Sequence, residues 1–363
     1  LKFANSYFRA DREFVMKAVC KNHQALKFAA EELLGDFNFM VEACAAEPRA
    51  LDYVQKDLKE RIREESEAVR SIRRDLEQRS EELDSECSFF FMNRESFLAQ
   101  STWPKFQDLK KAGLLVEKSI RLADGVRGKY SKNMMSISHC WETSAFPDPT
   151  NTQLKAVQQY LNDHPEIELV WGDYSSMPQG DRTPRDKLEF KRMLPRINLL
   201  YLSTSVVQLV DITYPSRFWT QFESWLAMQR CTPNGLRGAK DAGDVRYQII
   251  CIHSAEDDYE GAKLRKTWQT ATADFAYKVL KAEDVRVTNL SDKQAQLPKI
   301  KILDTAVIEA FKQTSELPDP QEPDQEVEEM PAEAELTGNQ TTGLEQLKEK
   351  VESLEKDAER MKE

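Results

Sequence analysis

The chain contains no Gly-x-Gly-x-x-Gly turn, no Walker loop and no His-Glu-x-x-His helix. Dinucleotide binding by a Gly-rich turn and P-loop hydrolysis are therefore disfavoured. It also has no Cys-x-x-Cys pair; its six cysteines, Cys20, Cys44, Cys87, Cys140, Cys231 and Cys251, are scattered. That spread fits the reduced thiols of a cytosolic or nuclear protein rather than a disulfide scaffold. Nor is there a long apolar run. The longest, Ile197 to Val210, is interrupted by Asn198, Ser203, Thr204, Ser205 and Gln208, short of the roughly 18 apolar residues of a spanning helix, so no membrane association is expected. Positive charge is in deficit, with 51 Lys and Arg against 62 Asp and Glu and a net charge of −11. A dominant nucleic-acid surface is thus not expected. The first residue is Leu1 rather than Met, so the chain reads as a fragment, with any amino-terminal targeting signal out of view; the expected location is cytoplasmic.

What is present is enough for two or three units: 363 residues, 40% hydrophobic and 31% charged, with six Trp. The first unit, residues 1–53, is a repeat. Leu1-Lys2-Phe3-Ala4 recurs 25 residues later as Leu26-Lys27-Phe28-Ala29 and, weakened, as Leu51-Asp52-Tyr53-Val54. In each copy an Asp precedes an apolar helical face: Asp11 before Phe14, Val15 and Ala18, and Asp36 before Phe39, Met40 and Ala43. This reads as a helix N-cap followed by a buried stripe. So small a unit cannot bury its face alone, and neighbours must stack on it. The pattern resembles a family of short helical repeats of unknown function that occur in multi-copy arrays. Such a solenoid either binds protein partners or caps the next element.

Residues 54–86 are highly charged, with Ile62, Val69, Leu76 and Leu83 at seven-residue intervals and Leu58 and Ile72 between them. They predict one long helix with a narrow apolar stripe and a solvated charged face. Residues 87–130 read as an irregular connector with one or two short helices. From 131 to 312, strand-type and helical runs alternate, the signature of an α/β fold with a parallel sheet covered on both faces. Strands are predicted near Met134–Ser138, Leu169–Tyr174, Leu199–Ser203 and Tyr247–His253, with helices at about 152–163, 186–196, 217–229 and 262–281. This order predicts a flavodoxin-like layout with loops gathered at the carboxyl edge. Leu297 to Leu303 reads as a further edge strand before a last helix, Thr305 to Lys312. Residues 313–343 are a linker: Ser315 to Gly343 holds nine acidic residues, four prolines and no Lys or Arg, too little apolar surface to fold. Residues 344–363 carry Leu344, Leu347, Val351, Leu354, Ala358 and Met361, a coiled-coil seam short enough to predict weak self-association.

Three segments of the α/β region concentrate polar and aromatic residues where strands end, and there function is expected. In Ser136-Ile137-Ser138-His139-Cys140-Trp141-Glu142 an apolar strand runs into His, Trp and Glu. In Trp171-Gly172-Asp173-Tyr174-Ser175-Ser176-Met177-Pro178-Gln179 a buried strand delivers Asp173. Arg217-Phe218-Trp219-Thr220-Gln221-Phe222-Glu223 opens a helix with aromatic anchors around one carboxylate. In this order the blocks resemble the heterokaryon-incompatibility (HET) domain of the TIR-like superfamily. Ser138, His139 and Trp141 match its first block, with Glu142 where Gly is usual; Trp171, Asp173 and Gln179 match the second, with Ser176 in place of Cys. Glu189, Met193 and Ile197 match the following helix, and Arg217, Trp219 and Glu223 the third block; together these cover about half the chain.

The resemblance implies a TIR-like output module of the kind used in non-self recognition or regulated cell death, and assembly into homo-oligomers. Some TIR domains cleave the nicotinamide–ribose bond of NAD with a Glu four residues after a Trp, the spacing of Trp219 and Glu223. On that reading NAD is a substrate rather than a cofactor. Glu223 is the candidate catalytic carboxylate, with His139, Trp141, Asp173, Ser203, Arg217 and Trp219 as pocket walls. The alternative is a buried structural pair of Glu223 with Arg217 and Trp residues that only fill the core. An enzyme needs Glu223 open to a cleft, whereas a scaffold can bury it. No metal site is expected: His139 with Cys140, and Cys251 with His253, are too few and too poorly aligned along strands.

Overall fold

The same local pattern that marks the repeat in the sequence builds it in space. A computed structural model describes residues 1–78, 85–239, 241–255 and 259–315. Helix Ser6–Ala10, helix Arg12–Lys21 and the 3-10 turn His23–Phe28 recur as Glu31–Gly35, Phe37–Ala46 and Pro48–Tyr53, each shifted by 25 residues. Asp11 and Asp36 cap their helices as predicted, accepting the amides of Phe14 at 2.7 Å and Phe39 at 2.9 Å. The first copy docks on the second through Arg12, which pairs with Asp36 at 3.1 Å and Glu42 at 3.2 Å and lies over the Phe39 ring. Of the first copy's expected face Val15 is buried, Ala18 is half-buried and Phe14 is exposed, whereas Phe39, Met40 and Ala43 of the second are all buried.

The charged segment forms the helix Lys59–Gln78, which buries Ile62, Ser66, Val69 and Ile72. It packs against Phe37–Ala46 on one side and the helix Pro184–Met193 on the other, where Arg185 reaches Glu65 at 3.5 Å. Leu83, the last position of that stripe, and the acidic and seam segments beyond Ser315 lie outside the described residues.

The fold is mixed α/β, with a six-stranded, mostly parallel sheet flanked by helices. Its strands are β1 (Glu86–Asn93), β2 (Leu115–Arg121), β3 (Met134–His139), β4 (Leu169–Trp171), β5 (Ser205–Val210) and β8 (Tyr247–Cys251), and a separate hairpin is made of β6 (Gln229–Thr232) and β7 (Gly235–Gly238). The sheet order is β2-β1-β4-β3-β5-β8, with β4, β3, β5 and β8 parallel and the β1 and β2 pairings antiparallel. Every residue of β3 is buried, which is why its sequence lacks a clean alternation. Met135 and Ile137 face an apolar layer with Trp103, Leu154 and Val157, and the opposite layer holds Trp171, Phe218, Phe222 and Trp225.

Four sequence expectations are corrected. Residues 87–130 are not an irregular connector: they supply β1 and β2, which hydrogen-bond into the sheet. Leu199–Ser203 is not a strand but part of the helix Asn198–Ser203, and the strand follows as β5. All six residues of that helix are buried, so its apolar run shows neither helical nor strand period. Leu297–Leu303 is not an edge strand. It belongs to the helix Leu290–Ser315, in which Ile300, Leu303 and Val307 are buried at helical spacing while Ile302 is exposed. The expected helix 262–281 is two, Tyr259–Trp268 and Ala273–Lys281, the second capped by Thr272.

Among the described residues no helix is long and apolar enough to cross a membrane. The six cysteines are free thiols.

Candidate functional site

At the carboxyl ends of β3 and β4, and at the helix Phe218–Ala227 that follows β5, the chain leaves a cleft of about 490 Å³. Its walls include His139, Trp141, Asp173, Arg217, Trp219 and Glu223, all named above as candidates. Ser203, the seventh, is not among them. It is buried at the end of its helix, packed so closely on Gly125 that a Cβ there would lie 2.0 Å from its Oγ.

The alternation of a strand decides what β3 delivers. Ser138 and His139 are consecutive, so they leave opposite faces of the sheet. His139 is stacked on Trp103, with ring centroids 4.8 Å apart and planes 9° from parallel. Its Nδ1 is 2.7 Å from Gln153 Oε1 and its Nε2 is 2.9 Å from Asp173 Oδ1. Asp173 also accepts the Trp141 indole N–H at 2.9 Å, so one carboxylate ties the ends of β3 and β4 together. Burial alone would lower the His139 pKa, but the charge and hydrogen bond of Asp173, with the Gln153 hydrogen bond and the charge of Glu223, together outweigh it and the net shift is upward.

On the other face, Ser138 Oγ donates to Glu223 Oε2 at 2.6 Å and lies 2.5 Å from the Tyr214 hydroxyl, which is 3.0 Å from Ser224 Oγ. Glu223 lines the cleft yet is only 8% exposed. Burial pushes its carboxyl up to about 8, and the charge of Asp173 adds to this, while the Ser138 hydroxyl and His139 pull the other way. At neutral pH it is therefore largely protonated and becomes a carboxylate just above. Burial also raises the neighbouring Cys140 thiol to about 12, so no thiolate nucleophile is at hand.

The expected alternative of a buried Glu223–Arg217 pair is not found: Arg217 is exposed at the mouth, and among the described residues no ion pair joins the two. Trp219 is half-buried on the wall, and with Trp141 it leaves the cleft open.

Other motif residues build the frame rather than the cleft's chemistry. Ser176 Oγ accepts the Gly172 amide at 3.3 Å, a turn contact that needs no thiol. The Gln179 side chain donates to the Asp173 carbonyl at 2.8 Å and to that of Met177 at 2.9 Å, closing the loop behind Asp173. Glu189 is buried against Arg192 at 2.6 Å, and Met193 and Ile197 are core.

Residues the sequence reading passed over include Gln153, Trp103, Tyr214 and Arg286. Gln153 sits in the first turn of the helix Thr152–Asp163, where a buried amide beside a β-strand carried no sequence signal. Trp103 lies in the segment expected to be an irregular connector, and Tyr214 falls in no block. Arg286 lies in a stretch that the sequence assigned to no block. Among the described residues no group of three or more His, Cys, Asp and Glu could hold a metal ion.

Residues 1–59 match a family described as "Domain of unknown function (DUF4116)", so the repeat region is similar to that family. No curated protein matches, and no solved structure matches.

Proposed function

We propose that the chain is a cytoplasmic signalling protein whose repeat region docks protein partners and whose α/β region is a HET-like, TIR-like output domain. The flavodoxin-like reading is supported by the parallel strands, whose order β4-β3-β5-β8 runs second, first, third, fourth along the chain. Support for docking comes from aromatics on the first repeat: Phe3 is 95% and Tyr7 72% exposed, and Phe8 and Phe14 are each 41% exposed. The seam at 344–363 is taken as a weak self-association element.

A second reading, that the output is enzymatic, rests on one observation: Glu223 stands in the wall of an open cleft, desolvated and poised to ionise near pH 8. On this reading the cleft takes NAD. The bond between ribose C1′ and the nicotinamide nitrogen breaks, and its electron pair leaves with nicotinamide, neutralising the pyridinium. Water then adds to C1′ and releases a proton. The cationic substrate favours the ionised form of Glu223, and the resulting carboxylate stabilises the oxocarbenium-like ribose. Ser138 holds the carboxylate in place, and the His139–Asp173–Trp141 chain keeps the facing wall rigid.

The test is NAD consumption by the purified chain at high concentration, wild type against Glu223→Gln, with folding followed by circular dichroism. Loss of turnover by about 100-fold or more in a folded variant is the expected result. Wild-type turnover should rise with pH through about 8 as Glu223 ionises. Wild-type protein that fails to turn over NAD even when assembled sinks the enzymatic reading and leaves the binding and signalling one.

A further inference from the structure

Two arginines at the cleft mouth are held side by side by the backbone. Arg217, just ahead of the helix Phe218–Ala227, pairs in parallel with Arg286 in an isolated β-bridge. The Phe218 amide donates to the Arg286 carbonyl at 2.7 Å, and the Arg286 amide to the Ser216 carbonyl at 2.8 Å. Bridge partners point their side chains to the same side, and both residues are exposed and line the cleft. Two guanidiniums in register repel one another. Among the described residues neither has a carboxylate partner.

The acids of the cleft are already engaged. Glu142 lies 2.9 Å from His253 Nε2 and accepts from Gln153 at 3.2 Å. Asp173 holds His139 and Trp141, Glu223 accepts from Ser138, and Asp292 accepts from Asn289 at 3.1 Å. A third arginine of the lining, Arg182, is spent on the Pro178 carbonyl at 2.9 Å and on the Phe190 ring, 3.6 Å below its guanidinium. Arg217 and Arg286 are thus the cations left to face a ligand.

We infer that Arg217 and Arg286 form a clamp for the diphosphate of a dinucleotide entering the cleft. The guanidinium fork matches phosphate oxygens bidentately, and two forks in register suit two linked phosphates. Trp219, two residues after Arg217, and Val287, next to Arg286, are also in the lining and offer an apolar wall for the adjoining ring. No Gly-rich turn is needed, because side chains rather than backbone amides take the anion. The assignment deepens the NAD reading and names what that substrate must carry, a diphosphate.

Titration calorimetry of the full chain with inorganic pyrophosphate and with ADP-ribose tests the clamp apart from turnover. Wild type should bind both, weakening as salt is raised, and Arg286→Gln and Arg217→Gln should each lose about tenfold in affinity or more. Lys278→Gln, away from the cleft lining, serves as the control for a general loss of positive charge and should bind as wild type does. Both arginines are exposed, so folded variants are expected and are checked by circular dichroism. ADP-ribose binding that depends on Arg286, in a protein that never consumes NAD, would keep the clamp and discard the glycohydrolase. Absence of wild-type binding at millimolar probe, or equal affinity in wild type and both arginine variants, overturns the clamp, whatever the turnover of NAD.

Discussion

The repeat region and the α/β region use polar side chains in opposite ways. In the repeats Asp11 and Asp36 stay near the surface, where each satisfies one helix amide, and the core beneath them is wholly apolar. In the α/β region Ser138, His139 and Glu223 are buried, with Ser138 bonded to Glu223 and His139 to Asp173. The first arrangement costs little desolvation and specifies local shape. The second places titratable groups where their ionisation is unfavourable, a cost that suits a site rather than a scaffold. Within the repeats a smaller contrast makes the same point: Phe14 and Phe39 occupy equivalent positions, yet one is 41% exposed and the other 0%. Phe39 has Arg12 of the first copy over its ring.

The largest stability effect should fall on that apolar pair. Phe39→Ala is expected to cost about 3–5 kcal/mol and Phe14→Ala less than about 1, read by chemical denaturation; equal costs would mean that the copies are not packed as described. Glu223 gives the next effect and carries a sign. Its folded-state pKa is raised, to about 8, so the native state binds its proton more tightly than the unfolded chain does. The stability from protonated Glu223 is complete below the ordinary carboxyl range and is lost progressively as pH rises towards about 8. Glu223→Gln should abolish that loss, a difference on the order of a few kcal/mol at pH 9. A wild-type stability curve parallel to that of the variant between pH 5 and 9 would contradict a buried protonated carboxyl. The smallest effect separates the two caps. Asp36→Ala removes a cap and a partner of Arg12 and should cost about 1–2 kcal/mol, whereas Asp11→Ala removes a cap alone and should cost about 1 or less; the reverse order would put the first copy's cap in the more demanding environment.

Much of the repeat was legible because its signals are local. An Asp three residues before the amide it accepts, and a period of 25, survive in one dimension. The ends of β3 and β4 were legible too, since His139, Trp141 and Asp173 break apolar runs in ways a core strand does not. The segment around Asn198–Ser203 was misread because full burial on every side erases the period that separates helix from strand. β1, with Phe89, Phe90 and Phe91 buried, gave no alternation to mark it as a sheet member, and its pairing partners lie in β2 and β4.

The amino-acid sequence by itself determined the helix caps, the repeat period and the strand ends at which polar residues collect, because these depend on neighbours a few positions away. Tertiary structure alone decided that Ser138 and His139 serve two different networks, that Ser203 packs on Gly125 outside the cleft, and that Arg286 stands beside Arg217. Each of those outcomes depends on which faces and edges the folded sheet and helices bring together, and contact between residues 69 or 85 positions apart, as at Arg217–Arg286 and Ser138–Glu223, is set by packing of the whole domain rather than by any local preference.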